Sequence, residues 1–428
     1  MKVLMFGWEF PPHISGGLGT ACYGITKALH KNGVEILFVV PKTYGDEKPG
    51  AIDLINASNI SVDFKEKIYK EHWDKMSYLE IDAALLPYSN EQEYYELKEK
   101  ISQGVKPEEK NIGQTKYEFK GGYGTSLIEE VKRYALVAAS IGSKEQFDII
   151  HAHDWLTYLA GIEAKRLSGK PLIVHMHATE FDRSGENTNP AVYEIERKGM
   201  QEADIVIAVS ELTRNVVINR YGIDPSKVVT IHNGVEPSEL DKTQKIEKKV
   251  KEKIVTFLGR ITYQKGPKYF IEAADLILKR DSNVRFVMAG SGDLLPKMIR
   301  RVAQLGIADK FHFTGFLTSD DVDKMFGMSD VYVMPSVSEP FGISPLEAMR
   351  SNVPVIISKQ SGVSEVLKHA IKVDFWDINA MADAIYGLLN YNSLPTMFKN
   401  YGKSEVENIK WDYTGQKVKR VYDNILNS

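Results

Sequence analysis

The chain has 428 residues, with 54 Lys and Arg against 57 Asp and Glu for a formal net charge of −3, and 43% of its residues are hydrophobic. That composition excludes disorder, collagen and fibre, and without a basic excess the chain is not expected to bind nucleic acid. The length suits two or three domains; the single cysteine, Cys22, excludes an internal disulfide and fits a reducing compartment; and no run reaches the ~18 apolar residues of a spanning helix, so the expected address is cytoplasmic, without membrane association.

Lys2 to Gly7 is a short apolar run of the buried-strand type, and a loop rich in proline and glycine follows it. Leu18 to Lys31 has helical spacing and stops at Asn32-Gly33, and Val34 to Val40 is a second strand. The opening therefore reads as a βαβ unit. Residues 43–120 are acidic and rich in tyrosine, without that rhythm, and read as an elaboration of the first domain. Phe147 to Ala152, Leu172 to Met176, Asp204 to Val209 and Val228 to Ile231 are further short β-branched runs that extend the first sheet. The charged stretch 238–252 has little to bury and is placed as a linker after a first domain of residues 1–237.

The βαβ pattern then returns. Lys253 to Gly259 is a strand, Pro267 opens a helix to Lys279, and Val284 to Ala289 is the next strand, in a second domain over 253–403. Residues 404–428 keep helical spacing from Val406 to Ile425, predicting a terminal helix that packs back on the first domain. Two βαβ beginnings imply an α/β protein with two parallel sheets.

Open parallel sheets bind ligands at the carboxyl ends of their strands. In the first such loop, Ser15-Gly16-Gly17-Leu18 puts paired glycines before a helix, which suits either an approaching anion or a tight turn. Arg260 and Lys265, between a strand and a helix, could hold a diphosphate by charge-assisted hydrogen bonds or be ordinary surface charges. Ser344-Pro345-Leu346-Glu347 has the form of a capping box, giving Glu347 a structural role, whereas Glu339 lies in a Pro/Gly-rich loop suited to accepting hydrogen bonds from sugar hydroxyls. His151-Ala152-His153 and His175-Met176-His177 each put two histidines on one face of a strand, where they could ligate a metal. No third cluster with tight spacing follows, so the expectation is packed or hydrogen-bonded histidines and no metal. A His-x-His metal-dependent hydrolase stands as the alternative of another class.

Taken together, these loops resemble retaining glycosyltransferase family 4, and within it the bacterial-type glycogen synthases. The resemblance covers nearly the whole chain. It rests on Ser15-Gly16-Gly17-Leu18, His151-Ala152-His153-Asp154-Trp155, Gly259-Arg260, Gln264-Lys265-Gly266 and the glutamates Glu339 and Glu347. It implies the GT-B fold, two facing Rossmann-like domains with a cleft between them. It also implies a hexosyltransferase that moves glucose from a nucleotide sugar, ADP- or UDP-glucose, to a glucan or other carbohydrate acceptor. The alternative within the family is another donor, or a lipid-linked or small-molecule acceptor. By the same resemblance, His177, Arg260, Lys265 and Glu339 would be the catalytic residues. Gly17, Asp154, Phe316, Gly342, Ile343 and Glu347 would bind substrate: Gly17 the diphosphate, Phe316 the base, Glu347 the ribose. His175 competes with His177 as the active-site histidine. A closing motion would bring Gly17 and His177 against Arg260, Lys265 and Glu339. No cofactor and no obligatory metal are implied. Departures from the glycogen synthases are Ile14 where they carry lysine, Leu156 where they carry a second histidine, and Phe341 where many carry cysteine.

Overall fold

The structure is a computed structural model that describes residues 1–13, 16–47, 49–50, 52–63, 114–121, 127–236 and 250–427. Ser15, much of the expected elaboration and linker residues 238–249 lie outside the described residues. The chain divides into two compact units, one of Met1–Val209, Thr213–Ile231 and Thr414–Ser428, the other of Ser210–Leu212 and His232–Tyr413.

The first unit opens with β1 (Lys2–Phe6), α1 (Gly17–Lys31), β2 (Glu35–Val40), β3 (Asp53–Asn56), β4 (Ser61–Asp63) and β5 (Gln114–Lys116). It continues with α2 (Leu127–Lys144), β6 (Ile149–His153), α3 (Trp155–Ser168), β7 (Leu172–Met176), α4 (Glu180–Ser184), α5 (Pro190–Glu202) and β8 (Ile205–Ala208). The helix α6 (Glu211–Tyr221) and the strand β9 (Val228–Thr230) follow. Seven strands form one parallel sheet in the order β3-β2-β1-β6-β7-β8-β9, and β4 pairs antiparallel with β5. The strands are apolar nearly throughout because a parallel sheet is covered on both faces. Tyr134 of α2 anchors one layer. Its hydroxyl lies 2.8 Å from the Val39 carbonyl and 3.2 Å from that of Gly7, while its ring packs edge-on against Phe6 and Trp8.

The second unit contains β10 (Lys253–Leu258), α7 (Pro267–Leu278), β11 (Val284–Ala289), α8 (Leu295–Gln304), β12 (Phe311–Gly315), α9 (Ser319–Met328) and β13 (Val331–Met334). Then come α10 (Ser344–Arg350), β14 (Val355–Ser358), α11 (Val363–Val366), β15 (Ile371–Val373), α12 (Ile378–Asn390) and α13 (Ser393–Val406). Its six strands are parallel in the order β12-β11-β10-β13-β14-β15. Phe257, Phe270, Phe286 and Phe311 pack ring against ring through its core, Phe270 edge-on to Phe286 and Phe311, which stack on each other.

The helical spacing from Val406 onward spans a break. After α13 the chain begins again as α14 (Trp411–Leu426), because the Ile409 carbonyl accepts a hydrogen bond at 3.0 Å from the Val235 N–H instead of continuing a helix. Residues 232–236 are tied to the second unit by that bond, by His232 with Glu365 and by Arg350 with the Glu236 carbonyl, and the units change at His232 and Thr414 rather than at the expected 238 and 404. Among the described residues no helix is long and apolar enough to cross a membrane.

Candidate active site

Each sheet reverses strand order once, between β1 and β6 in the first and between β10 and β13 in the second. In doubly wound sheets the ligand crevice opens at such a reversal. The loops singled out in the sequence follow these strands or their neighbours.

In the first unit Gly17 is the exposed first residue of α1, a 15-residue helix without acidic groups in its opening turn. Its leading N–H groups have no carbonyl within the helix to bond, and the helix dipole adds to their attraction for an anion. Asp154 ends β6 with φ at 63°, a conformation L-residues rarely adopt. Its N–H donates to the His175 carbonyl at 2.9 Å, and among the described residues its Oδ1 has no hydrogen-bond partner. Burial raises its pKa to about 6, against the opposing pull of Arg183 and of the Ala178, His177 and Trp155 N–H groups.

His177 lies just past the end of β7, hydrogen-bonded through Nε2 to His153 Nδ1 at 3.0 Å. Burial lowers its pKa to about 3, so the ring is neutral at physiological pH. The structure separates the two candidate histidines, since His175 is fully enclosed in β7 and His177 keeps some surface. Behind them is a network the sequence reading missed. Arg183 bonds the Ala178 carbonyl at 2.9 Å and Glu180 at 3.1 Å, and also pairs with Glu196, which Tyr221 hydrogen-bonds in turn. Thr179 and Asp182 close a capping box on α4. The loop after β7 is fixed by groups drawn from three helices, and no spacing within one segment signals that.

In the second unit Lys265 Nζ and Glu339 Oε2 meet at 2.5 Å, and Ser336 Oγ donates to the same oxygen at 3.1 Å. Glu339 is only 6% exposed. Its loop is held at both ends, its N–H donating to the Gln360 carbonyl and its own carbonyl accepting from the Gly362 N–H. Gly266 adopts φ 64°, and a Cβ there would lie 2.0 Å from the Pro335 carbonyl oxygen, which pins the turn after Lys265 to the end of β13. Arg260 is exposed just beyond β10. Phe316, 63% exposed, follows β12 at the sheet edge, two strands from β10. Gly342 has φ 100°, and a Cβ there would meet Glu339 Cγ and the Met334 side chain at 3.2 Å, so Gly342 stays close against the glutamate, with Ile343 next in the chain.

The expected capping box at Glu347 is not formed. Ile343 occupies the cap position, and the Ser344 hydroxyl is 2.8 Å from the hydroxyl of Tyr332 instead. Burial raises the Glu347 pKa; Arg350 opposes that and Asp323 adds to it. Tyr332, another residue the sequence reading passed over, lies close enough to both Glu339 and Glu347 for each to raise its own pKa further, after burial.

Residues 239–405 match the family model described as glycosyl transferases group 1, and residues 115–239 that described as Glycosyltransferase Family 4. An uncharacterized glycosyltransferase of Methanocaldococcus jannaschii is 29% identical over 99% of this chain and 98% of its own. A D-inositol 3-phosphate glycosyltransferase of Salinispora tropica is 27% identical over 67% of this chain and 66% of its own, and a glycogen synthase of Mycobacterium tuberculosis is 22% identical over 86% and 80%. Among solved structures, Anabaena HepE in complex with UDP-glucose aligns over 99% of this chain and 100% of its own, with TM-score 0.68 and 16% identity. Two Rossmann-like parallel-sheet units with their loops so placed make this a protein of the GT-B fold. The chain is a family 4-like glycosyltransferase. The hydrolase alternative falls with that finding, and His151, His153 and His175 are moreover 0% exposed.

Proposed function

We propose that this glycosyltransferase moves a hexosyl group, glucose, from a nucleoside diphosphate sugar to a glucan, with retention of the anomeric configuration. The observation that carries the reading is the Lys265–Glu339 pair at 2.5 Å where the second sheet reverses order. An ammonium group and a carboxylate side by side suit the two ends of such a donor, the diphosphate and the sugar hydroxyls. As the bond from the anomeric carbon to phosphate oxygen breaks, the electron pair leaves with the diphosphate. Lys265 and Arg260 stabilise that charge. Glu339 accepts hydrogen bonds from the sugar, with the Gly342 and Ile343 N–H groups beside it. Glu347 takes the ribose and Phe316 contacts the base. In the first unit the N–H of Gly17 suits a phosphate oxygen, and neutral His177 with Asp154 suits sugar hydroxyls. No metal is assigned a part in this chemistry.

Support for a glucosyl nucleotide comes from the HepE complex with UDP-glucose, and for a glucan acceptor from the Mycobacterium glycogen synthase. The Salinispora relative, which takes an inositol phosphate by its name, favours a second reading with a small-molecule acceptor. The test is release of nucleoside diphosphate from ADP-, UDP- and GDP-sugars with and without an α-glucan primer. Primer-dependent release from one glucose donor, with an α-linked product by NMR, is the expected result. Release that responds to inositol phosphate and not to primer selects the second reading, and release from no donor overturns both.

A further inference from the structure

Four imidazoles line one face of the first sheet. His151 and His153 are two apart on β6, His175 sits directly opposite His153 on β7, and His177 follows two residues later. Their ring centroids are 4.3 Å apart for His151–His153, 4.4 Å for His175–His177, and 5.4 Å for His175 with each of His151 and His153. Hydrogen bonding uses only part of their capacity. His151 Nδ1 meets the Tyr422 hydroxyl at 2.5 Å and His153 Nδ1 meets His177. Among the described residues, Nε2 of His151, Nε2 of His153 and both nitrogens of His175 have no partner, and all three residues are 0% exposed.

Each unsatisfied buried nitrogen is costly. Stacking alone does not explain the set, because leucine or phenylalanine fills such positions without that cost. Ring nitrogens of His151, His153 and His175 lie within 4.8 Å of one another. A tetrahedral zinc site needs nitrogens about 3.4 Å apart, given Zn–N near 2.0–2.1 Å, so the near-parallel rings must turn out of their stack to converge on one ion.

We propose that His151, His153 and His175 bind a d-block divalent cation of the zinc type, in a structural site apart from sugar transfer. Neutral imidazole selects zinc, copper or nickel over magnesium or calcium. The partners that ligating histidines need on their second nitrogen are already in place for two of them, in Tyr422 and His177. Cys22 of α1 forms a neighbouring group with His153 and His177, again with ligand atoms within 4.8 Å, so a buried thiol adjoins the site. The exposed group of His13, Asp46 and Glu47 is a separate surface cluster and serves as a control.

The test uses full-length protein without a polyhistidine tag, stripped with chelator and titrated with Co2+. The expected result is one equivalent bound, with the intense visible absorption of tetrahedral cobalt, displacement by Zn2+, and a melting temperature several degrees higher. The variants H151F and H175L keep apolar volume in the stack and should lose uptake, while H13A should keep it. X-ray absorption on loaded wild type should count three imidazole ligands, and it decides the matter should either variant fail to fold. Folded wild type that takes up neither Co2+ nor Zn2+ overturns the proposal. So does uptake that persists in folded H151F and H175L, or a shell of carboxylate oxygens.

Discussion

Lys265 and Glu339 meet as charges at the mouth of the second sheet, whereas His151, His153 and His175 are enclosed and neutral within the first. Both clusters are polar groups taken largely out of water. The second offsets desolvation by pairing opposite charges and adding Ser336; the first does so by giving up charge altogether. The difference teaches how burial sorts charge: groups that find an opposite partner keep theirs, while groups shut inside without one keep only their lone pairs.

The comparison breaks most sharply at the charged pair. Glu339→Ala or Lys265→Ala should each lower kcat/KM for transfer by roughly 10²–10³, the range seen on removing one electrostatic contributor to a transition state. Near-wild-type rates in both variants would remove the mechanism. Gly266→Ala tests the turn beneath the pair. A Cβ 2.0 Å from the Pro335 oxygen, at φ 64°, should cost about 3 kcal/mol in denaturant unfolding. The enclosed cluster is probed by acid. Burial holds His151 and His177 at about 3, below the unfolded value near 6.5. Between those values the unfolded chain binds more protons, so stability is complete above pH ~6.5 and declines as pH falls. In metal-free protein each histidine should cost about 2 kcal/mol by pH 5, read from urea titrations, and H151F should reduce the decline. The smallest effect belongs to Tyr332→Phe. Loss of the hydrogen bond to Ser344 should cost about 1 kcal/mol and slow transfer less than tenfold, since the phenol bonds Ser344 and the Leu258 carbonyl and is assigned no part in binding substrate.

Much of the fold was legible because a parallel strand is a local signal. The runs at Val284–Ala289 and Leu172–Met176 have the bounds their composition predicts. Helix ends were less so: nothing within 404–426 shows that Val235, far away in sequence, takes the Ile409 carbonyl. The candidate site divides likewise. Glycine and charge beside a strand pointed to Gly17, Arg260, Lys265 and Glu339, but their partners were not readable. The Ser344 hydroxyl looked like a helix cap and is held by Tyr332 from a neighbouring strand. His153 and His175 each belong to a visible pair, and only strand register sets them opposite each other. Arg183, Glu196 and Tyr221 form a network only once α4, α5 and α6 are assembled.

The ends of β10 and β13 are lined at their closest points by main chain alone. Gly290 would place a Cβ 1.9 Å from the Gly259 oxygen, Gly292 one 2.4 Å from that of Ile261, and Gly266 one against Pro335. A floor built of peptide groups is indifferent to which side chains stand on it. Side chains of the loops above can therefore be exchanged without change to this floor so long as Gly266, Gly290 and Gly292 stay.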